Sequence, residues 1–116
     1  MAELCVFTPL DEGEFHARLS RIMGLAVVLF STPHCGACRA WKALLPKALK
    51  ETGAQFFEVD VAQATGIARY YDIFHLPTIY LYRDGHFHAE LQAEARIDPI
   101  RAATLRLLAA PAQEEP

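Results

Sequence analysis

Apolar positions along the chain fall into blocks whose spacing alternates between two periods. Leu25-Ala26-Val27-Val28-Leu29-Phe30 is apolar on both faces, the pattern of a strand in the middle of a parallel sheet. Gln55 to Val59 predicts a second strand, rich in β-branched and aromatic residues. Leu76 to Tyr82 predicts a third, with Pro77 near its start, and Phe87 to Leu91 a fourth. Between the last two, Arg83-Asp84-Gly85-His86 carries the Asp-Gly signal of a tight hairpin, so they run antiparallel. Leu4 to Phe7 adds a short strand at the front. Helical spacing fills the intervals. Thr8-Pro9 with Asp11 reads as a cap, a proline in the first turn and an acid after it, followed by Phe15, Leu19 and Ile22 and stopped by Gly24. Trp41, Leu44, Leu45, Ala48 and Leu49 make one stripe, with Pro46 inside it expected to kink the helix and Thr52-Gly53 to end it. Ala62 to Tyr71 predicts a third helix, weakened by Gly66, and Asp98-Pro99 starts a last one with Ile100, Leu105 and Leu108 inward.

The order is β-α-β-α-β-α-β-β-α. Strands alternating with helices, closed by a hairpin, predict an α/β fold: a central mixed β-sheet flanked by helices on both faces. Residues 1–110 form a single domain on this reading, and 111–116 a flexible C-terminal tail.

Composition narrows the function. With 116 residues, 53% of them hydrophobic, the chain can bury its own core without staples. A formal charge of -3 argues against a general nucleic-acid binder. No apolar run approaches the roughly 20 residues of a membrane span. Met1-Ala2-Glu3-Leu4-Cys5 has no basic n-region and no long apolar stretch, so a cytoplasmic setting is expected, and the chain is expected to be a monomer. Three cysteines cannot form a fully paired secreted framework. Two of them, Cys35 and Cys38, form a C-x-x-C.

That pair lies where a buried strand gives way to a helix. Free N–H groups and the positive end of the helix dipole favour a thiolate at Cys35. Cys38, one turn deeper, is within reach and more sheltered. An exposed acidic thiol with a sheltered partner suits two-step disulfide exchange. The spacing alone is a weak signal, because half a zinc site has it too. Cys5 and His34 are the only plausible added ligands, and neither is well placed, so no metal and no cofactor is expected.

Taken together, the chain resembles thioredoxin from about Leu4 to Leu108. The matching pieces are Val27-Val28-Leu29-Phe30 before the thiols, Cys35-Gly36-Ala37-Cys38, Phe57-Glu58-Val59-Asp60-Val61, Ala68-Arg69-Tyr70-Tyr71-Asp72-Ile73, Leu76-Pro77-Thr78 and Arg83-Asp84-Gly85. The resemblance implies a thioredoxin-like fold, catalysis by Cys35 and Cys38, and a cis bond at Pro77 that sets the backbone beside Leu76 edge-on to the disulfide. There a substrate strand can pair. Departures are equally specific. The family's usual Trp-Cys-Gly-Pro-Cys is His34-Cys35-Gly36-Ala37-Cys38 here. Leu29 stands where the family has a buried aspartate, and Phe56 where it has the accompanying lysine. The glycine flanking the groove after the hairpin is replaced near Gln92 and Ala93. These departures point to a specialised thioredoxin-like oxidoreductase.

The remaining candidates divide between chemistry and scaffold. His34 stands beside the nucleophile and can tune it, or is a solvated loop histidine. His75, two before Pro77, can face the same groove. With Gly36, Ala37, Leu76 and Pro77 these two make the expected substrate-binding set. Trp41 is expected in the core, Cys5 as a small buried hydrophobe on the first strand, and Arg39 as a surface charge. Glu58 is expected as a solvated strand-end acid, with replacement of the missing carboxylate as the other reading. Asp60 is expected to cap the following helix. His86-Phe87-His88 resembles a metal tract, but strand alternation splits it across two faces, so the hairpin is read as surface.

Three functions compete. One is protein-disulfide exchange through Cys35 and Cys38, with disulfide-bearing protein substrates and a thiol reductase as partners. The others are a thioredoxin-fold adaptor whose thiols do not turn over, and a thiol pair that binds copper or zinc.

Overall fold

The computed structural model describes residues 6–116. The expectation for Cys5 lies outside the described residues. The elements are β1 (Phe7–Pro9), α1 (Phe15–Leu19), β2 (Leu25–Ser31), α2 (Gly36–Ala48), a single 3₁₀ turn at Lys50–Thr52, β3 (Gln55–Asp60), α3 (Thr65–Tyr70), β4 (Thr78–Arg83), β5 (His86–Glu90) and α4 (Ile97–Ala109). The sheet order is β1-β3-β2-β4-β5. β3 runs parallel to β1 and β2, whereas β4 pairs antiparallel with β2 and β5. Such a mixed sheet follows from the chain order: helical crossovers join the parallel strands, and a two-residue turn joins the last pair.

Strand alternation sorts the core into two layers. Val27, Leu29, Phe56, Ile79 and Leu81 pack with Trp41, Leu45, Ile100 and Ala103 under α2 and α4. Val28, Phe30, Phe57, Val59, Tyr80 and Tyr82 pack with Phe15, Leu19, Ile67 and Tyr71 under α1 and α3. β2 is buried at all seven positions, as expected for a strand covered on both faces.

Several boundaries differ from the sequence pattern. Thr8 and Pro9 do not start a helix. They lie in β1, which among the described residues is an edge strand paired with β3, where a residue without an N–H is tolerated. α1 begins at Phe15, after a turn in which the Glu14 N–H donates to Asp11 Oδ1 at 3.0 Å. α3 begins at Thr65 rather than Ala62. Asp60 does not cap it, but accepts from the Ala62 N–H at 2.9 Å and shapes the turn before it. The cap comes from a distant acid: Glu12 Oε1 accepts from the Gly66 N–H at 2.7 Å. Pro46 stays inside α2. Leu105 is exposed, because it stands about 140° round the helix from Ile100, off the buried stripe of Ile100, Ala103 and Thr104.

The hairpin after β4 is built as its Asp-Gly pair predicts. Asp84 has φ 50° and Gly85 φ 84°, the left-handed pair that matches strand twist. Asp84 Oδ1 also accepts from the Gly24 N–H at 2.7 Å, and the Asp84 N–H returns a bond to the Gly24 carbonyl. A Cβ at Gly85 would lie 2.6 Å from the Ser20 carbonyl oxygen. Gly85→Ala therefore combines an unfavourable φ with a backbone collision. It is expected to lower stability by about 2 kcal/mol, read as a fall in the urea midpoint at unchanged slope.

The hairpin is not wholly surface. His88 is buried at the register shift between Leu81 and Tyr82, and its Nε2 bonds the Leu107 carbonyl at 2.7 Å. Arg83 Nη1 donates to the Leu108 carbonyl at 2.8 Å. Two carbonyls at the end of α4 thus take bonds from the hairpin, and the Leu107 carbonyl also accepts from the Ala110 N–H at 3.2 Å. Alternation puts His88 opposite Phe87, on the α4 side, and the bulge leaves it without a ladder partner there.

Candidate functional site

One end of the sheet gathers the loops that carry chemistry. β2 ends there at Ser31, and β4 begins there at Thr78, which pairs with Phe30. The Val61 N–H, just past β3, donates to the Ser31 carbonyl at 2.9 Å. Residues 32–38, the turn after β3 and the segment 74–77 therefore emerge at the same end. This is the carboxyl end of the parallel strands, where open α/β sheets hold their sites.

Cys35 and Cys38 form a disulfide, with their Cα atoms 5.2 Å apart. Cys35 is the N-cap of α2: its backbone is extended, and its sulfur accepts from the Cys38 N–H at 3.0 Å. A sulfur in that position takes up one of the N–H groups that a helix start leaves without a partner. The Cys35 N–H donates to the Thr32 carbonyl at 3.2 Å, and its own carbonyl accepts from Arg39 at 3.3 Å. Both bonds fix the loop. Cys35 is half-buried, while Cys38 retains only 4% of its exposure. The first sulfur can thus be approached, and the second is covered.

The other site residues predicted from sequence lie around this pair to different degrees. His34, Gly36 and Ala37 are exposed on the thiol loop. The Leu76–Pro77 bond is cis, and both residues are half-buried. His75 is exposed, and its carbonyl accepts from Thr78 Oγ1 at 2.7 Å. Neither histidine is held against a sulfur by a hydrogen bond among those described. Trp41 is in the core and Arg39 is exposed, as their positions in the pattern imply.

Glu58 is where the structure departs most from expectation. It is not a solvated strand-end acid, since its side chain is 25% exposed. Oε2 accepts from Ser31 Oγ at 2.7 Å, and Oε1 accepts from Lys42 Nζ at 2.7 Å. Glu58 is the cross-strand partner of Leu29, and Phe56, two positions before it, packs under α2 with Leu29. The carboxylate therefore sits on the α2 side of the sheet, tied to the strand that leads to the thiols. Lys42 was not singled out in the sequence. It is one of three basic residues on α2, with Arg39 and Lys47, a signal too common to read.

A cleft of about 530 Å³ opens beside this group, with Leu10, Glu12, Ser31, Pro33, Glu58 and Asp60 among its walls. Phe74 is a second feature the pattern did not single out. It is 89% exposed, three positions before Pro77. Among the described residues, no group of three or more His, Cys, Asp or Glu side chains is arranged to hold a metal ion.

The thioredoxin family model matches residues 6–105. The chain belongs to the thioredoxin family. Its fold recurs in solved structures. The zinc-bound form of human ERp44 superposes with a TM-score of 0.71 at 22% identity, over 86% of this chain and 31% of that one. Form II of human ERp44 gives 0.71 at 23%, over 91% and 30%. A designed protein gives 0.74 at 19%, over 89% of this chain and 98% of that one. This thioredoxin-family domain thus spans about a third of the ERp44 chains, and at these identities the likeness is one of fold. The domain carries a C-x-x-C pair able to form a disulfide, at the start of the helix that follows the central strand. No helix among its described residues is long and apolar enough to cross a membrane.

Proposed function

We propose that the domain is a protein-disulfide oxidoreductase that exchanges disulfides with client proteins through Cys35 and Cys38. The observation that carries this reading is the asymmetry of the pair: an approachable sulfur at the helix start accepting an N–H, and a covered sulfur one turn below. In the reduced protein the same N–H and the helix dipole favour a thiolate at Cys35. That thiolate attacks one sulfur of a client disulfide. The client S–S bond breaks, one client sulfur leaves as thiolate, and a Cys35–client disulfide forms. Cys38, as thiolate, then attacks the Cys35 sulfur and expels the second client thiolate. The client gains two electrons, and the domain is left with the Cys35–Cys38 disulfide present in the structure. A thiol reductase must return two electrons for another cycle. His34, Gly36, Ala37, His75, Leu76 and Pro77 form the client-facing rim in this reading, and Phe74 adds an apolar lip to it.

Reduction of insulin, followed by turbidity with a dithiol as electron source, tests the proposal. Turnover that is lost in Cys35→Ser supports it. Parent protein no faster than the dithiol alone would leave the adaptor reading, in which the pair is structural.

Direction of flux is set by the potential. A stabilised Cys35 thiolate makes the reduced form more stable and the disulfide a stronger oxidant. His34 beside Cys35 adds to that stabilisation when it is charged. The pair is expected to be more oxidising than about -270 mV, the value for thioredoxin itself. Equilibration with glutathione redox buffers measures it, and His34→Ala should move it towards the reducing side.

A further inference from the structure

Residues 110–116 leave the end of α4 and pass round the β5 edge to the opposite face of the sheet. The Gln113 N–H donates to the His88 carbonyl at 2.7 Å, and the Glu90 N–H donates to Gln113 Oε1 at 3.0 Å. Both groups lie on the outer side of the edge strand. Two residues on, Glu115 Oε2 accepts from the Tyr71 hydroxyl at 2.9 Å. Tyr71 in turn accepts from the Tyr82 hydroxyl at 3.1 Å. These phenols are 2% and 4% exposed. Burial holds both above the usual tyrosine range, so they remain donors. Glu115 is itself one wall of a pocket of about 240 Å³, with His16, Tyr71, Tyr82, His86 and Phe87 among the others.

The arrangement has a direction. Tyr82 uses its proton on Tyr71, so Tyr71 must spend its own outward. A chain of two aligned donors ending at a carboxylate is the strongest form of such a chain, because each bond polarises the next and the last is charge-assisted. The strand edge contributes one acceptor and one donor beside it. Side chains two apart on an extended segment point the same way. One such segment therefore satisfies the edge with an amide residue and the phenol with an acid two positions later.

We infer that the β5 edge and the Tyr71 pocket form a binding site for an extended acidic segment of another protein, of the form amide–any–acid, and that Gln113–Glu115 fill it in cis. The recognition combines strand addition with carboxylate capture. The tethered segment is present at an effective concentration in the millimolar range, so it covers the site until a better-matched chain displaces it. The site lies at the sheet edge.

The test uses the full chain in its oxidised form, with Gln113→Pro and Glu115→Ala combined. The probe is the blocked peptide Ala-Pro-Ala-Gln-Glu-Glu-Pro, and its control has Gln for both Glu. In the variant, exchange of the Glu90 amide with solvent is expected to rise about tenfold. Added peptide should reverse this, with the control at least about tenfold weaker. The parent should bind the peptide at least about tenfold more weakly than the variant, because its own segment competes. Tyr71→Phe gives an independent reading. It keeps the ring, removes the donor, and should speed exchange of the Gln113 amide about tenfold. Unchanged exchange in both variants, equal binding of peptide and control, or equal binding by parent and variant overturns the inference. A concentration-dependent dimer of the parent that Glu115→Ala abolishes also overturns it, and assigns the site to a second copy.

Discussion

Cys38→Ser is expected to accumulate covalent mixed disulfides with client proteins, and Cys35→Ser to accumulate none. The two sulfurs are one helical turn apart but unlike in access: Cys35 is half-buried at the N-cap, and Cys38 is 4% exposed beneath it. Only the first can meet a client sulfur. Among the described residues, only the second is within reach of the first once the client is attached, and without it the mixed disulfide has no internal exit there. Either substitution should lower insulin reduction by at least about a hundredfold, since neither half-reaction completes the cycle alone. Trapped adducts are read on non-reducing gels and by mass mapping. Equal trapping by both variants would defeat the assignment of attacking and resolving roles.

Leu29→Asp has the second large effect, and it moves two quantities in opposite directions. Leu29 has no exposed surface and packs with Ile79, Trp41 and Leu45 under α2. Replacing it removes buried apolar contacts and places a carboxyl among them. It also sets that carboxyl on the residue paired across the sheet with Glu58. The combined loss is expected to be about 4 kcal/mol, mostly from burial of the acid and loss of packing. Desolvation and the neighbouring Glu58 both raise the pKa of the introduced acid, bringing it closer to neutrality. A carboxylate with such a pKa is a better base near pH 7 than an ordinary one. In the parent, Cys38 is 4% exposed, and Leu29 offers it no such base. Resolution of the mixed disulfide should therefore be slow near neutrality and accelerate with rising pH. In Leu29→Asp it should be about tenfold faster at pH 7 and less dependent on pH. Stopped-flow decay of a preformed Cys35 mixed disulfide measures the rate, and urea denaturation the stability. A variant as stable as the parent, or one that resolves no faster, would refute the account of Leu29.

Glu58 of β3 and Lys42 of α2 meet beside the same position of the sheet. Their contact, with Ser31 joined to the same carboxylate, puts a half-buried ion pair on the α2 side of the sheet, next to the strand that carries Leu29. The acid missing from β2 thus has a neighbour on β3, held by hydrogen bonds rather than buried outright. An ion pair with this much exposure contributes about 1 kcal/mol or less to stability.

The sequence by itself determined the order of the elements, because the apolar spacing switches cleanly between strand and helix periods. It also determined that β2 is covered on both faces, since six successive apolar residues cannot face water on either side. The hairpin followed from Asp84-Gly85, whose backbone preferences are local, and the thiol pair from one helical turn of spacing. What only the tertiary structure decided involves partners distant in sequence. Glu12 caps α3 across 54 residues, and Glu58 meets Lys42 on another element. His88 meets the Leu107 carbonyl of α4 beside a bulge that depends on how β4 and β5 fit. Residues 110–116 carry no periodic signal, yet Gln113 and Glu115 bond the sheet edge and Tyr71. Local pattern reports which face of an element is apolar. It is silent on which polar groups will be brought within 3 Å, because that depends on how the packed layers come together, and the buried donors and acceptors must then be matched wherever they fall.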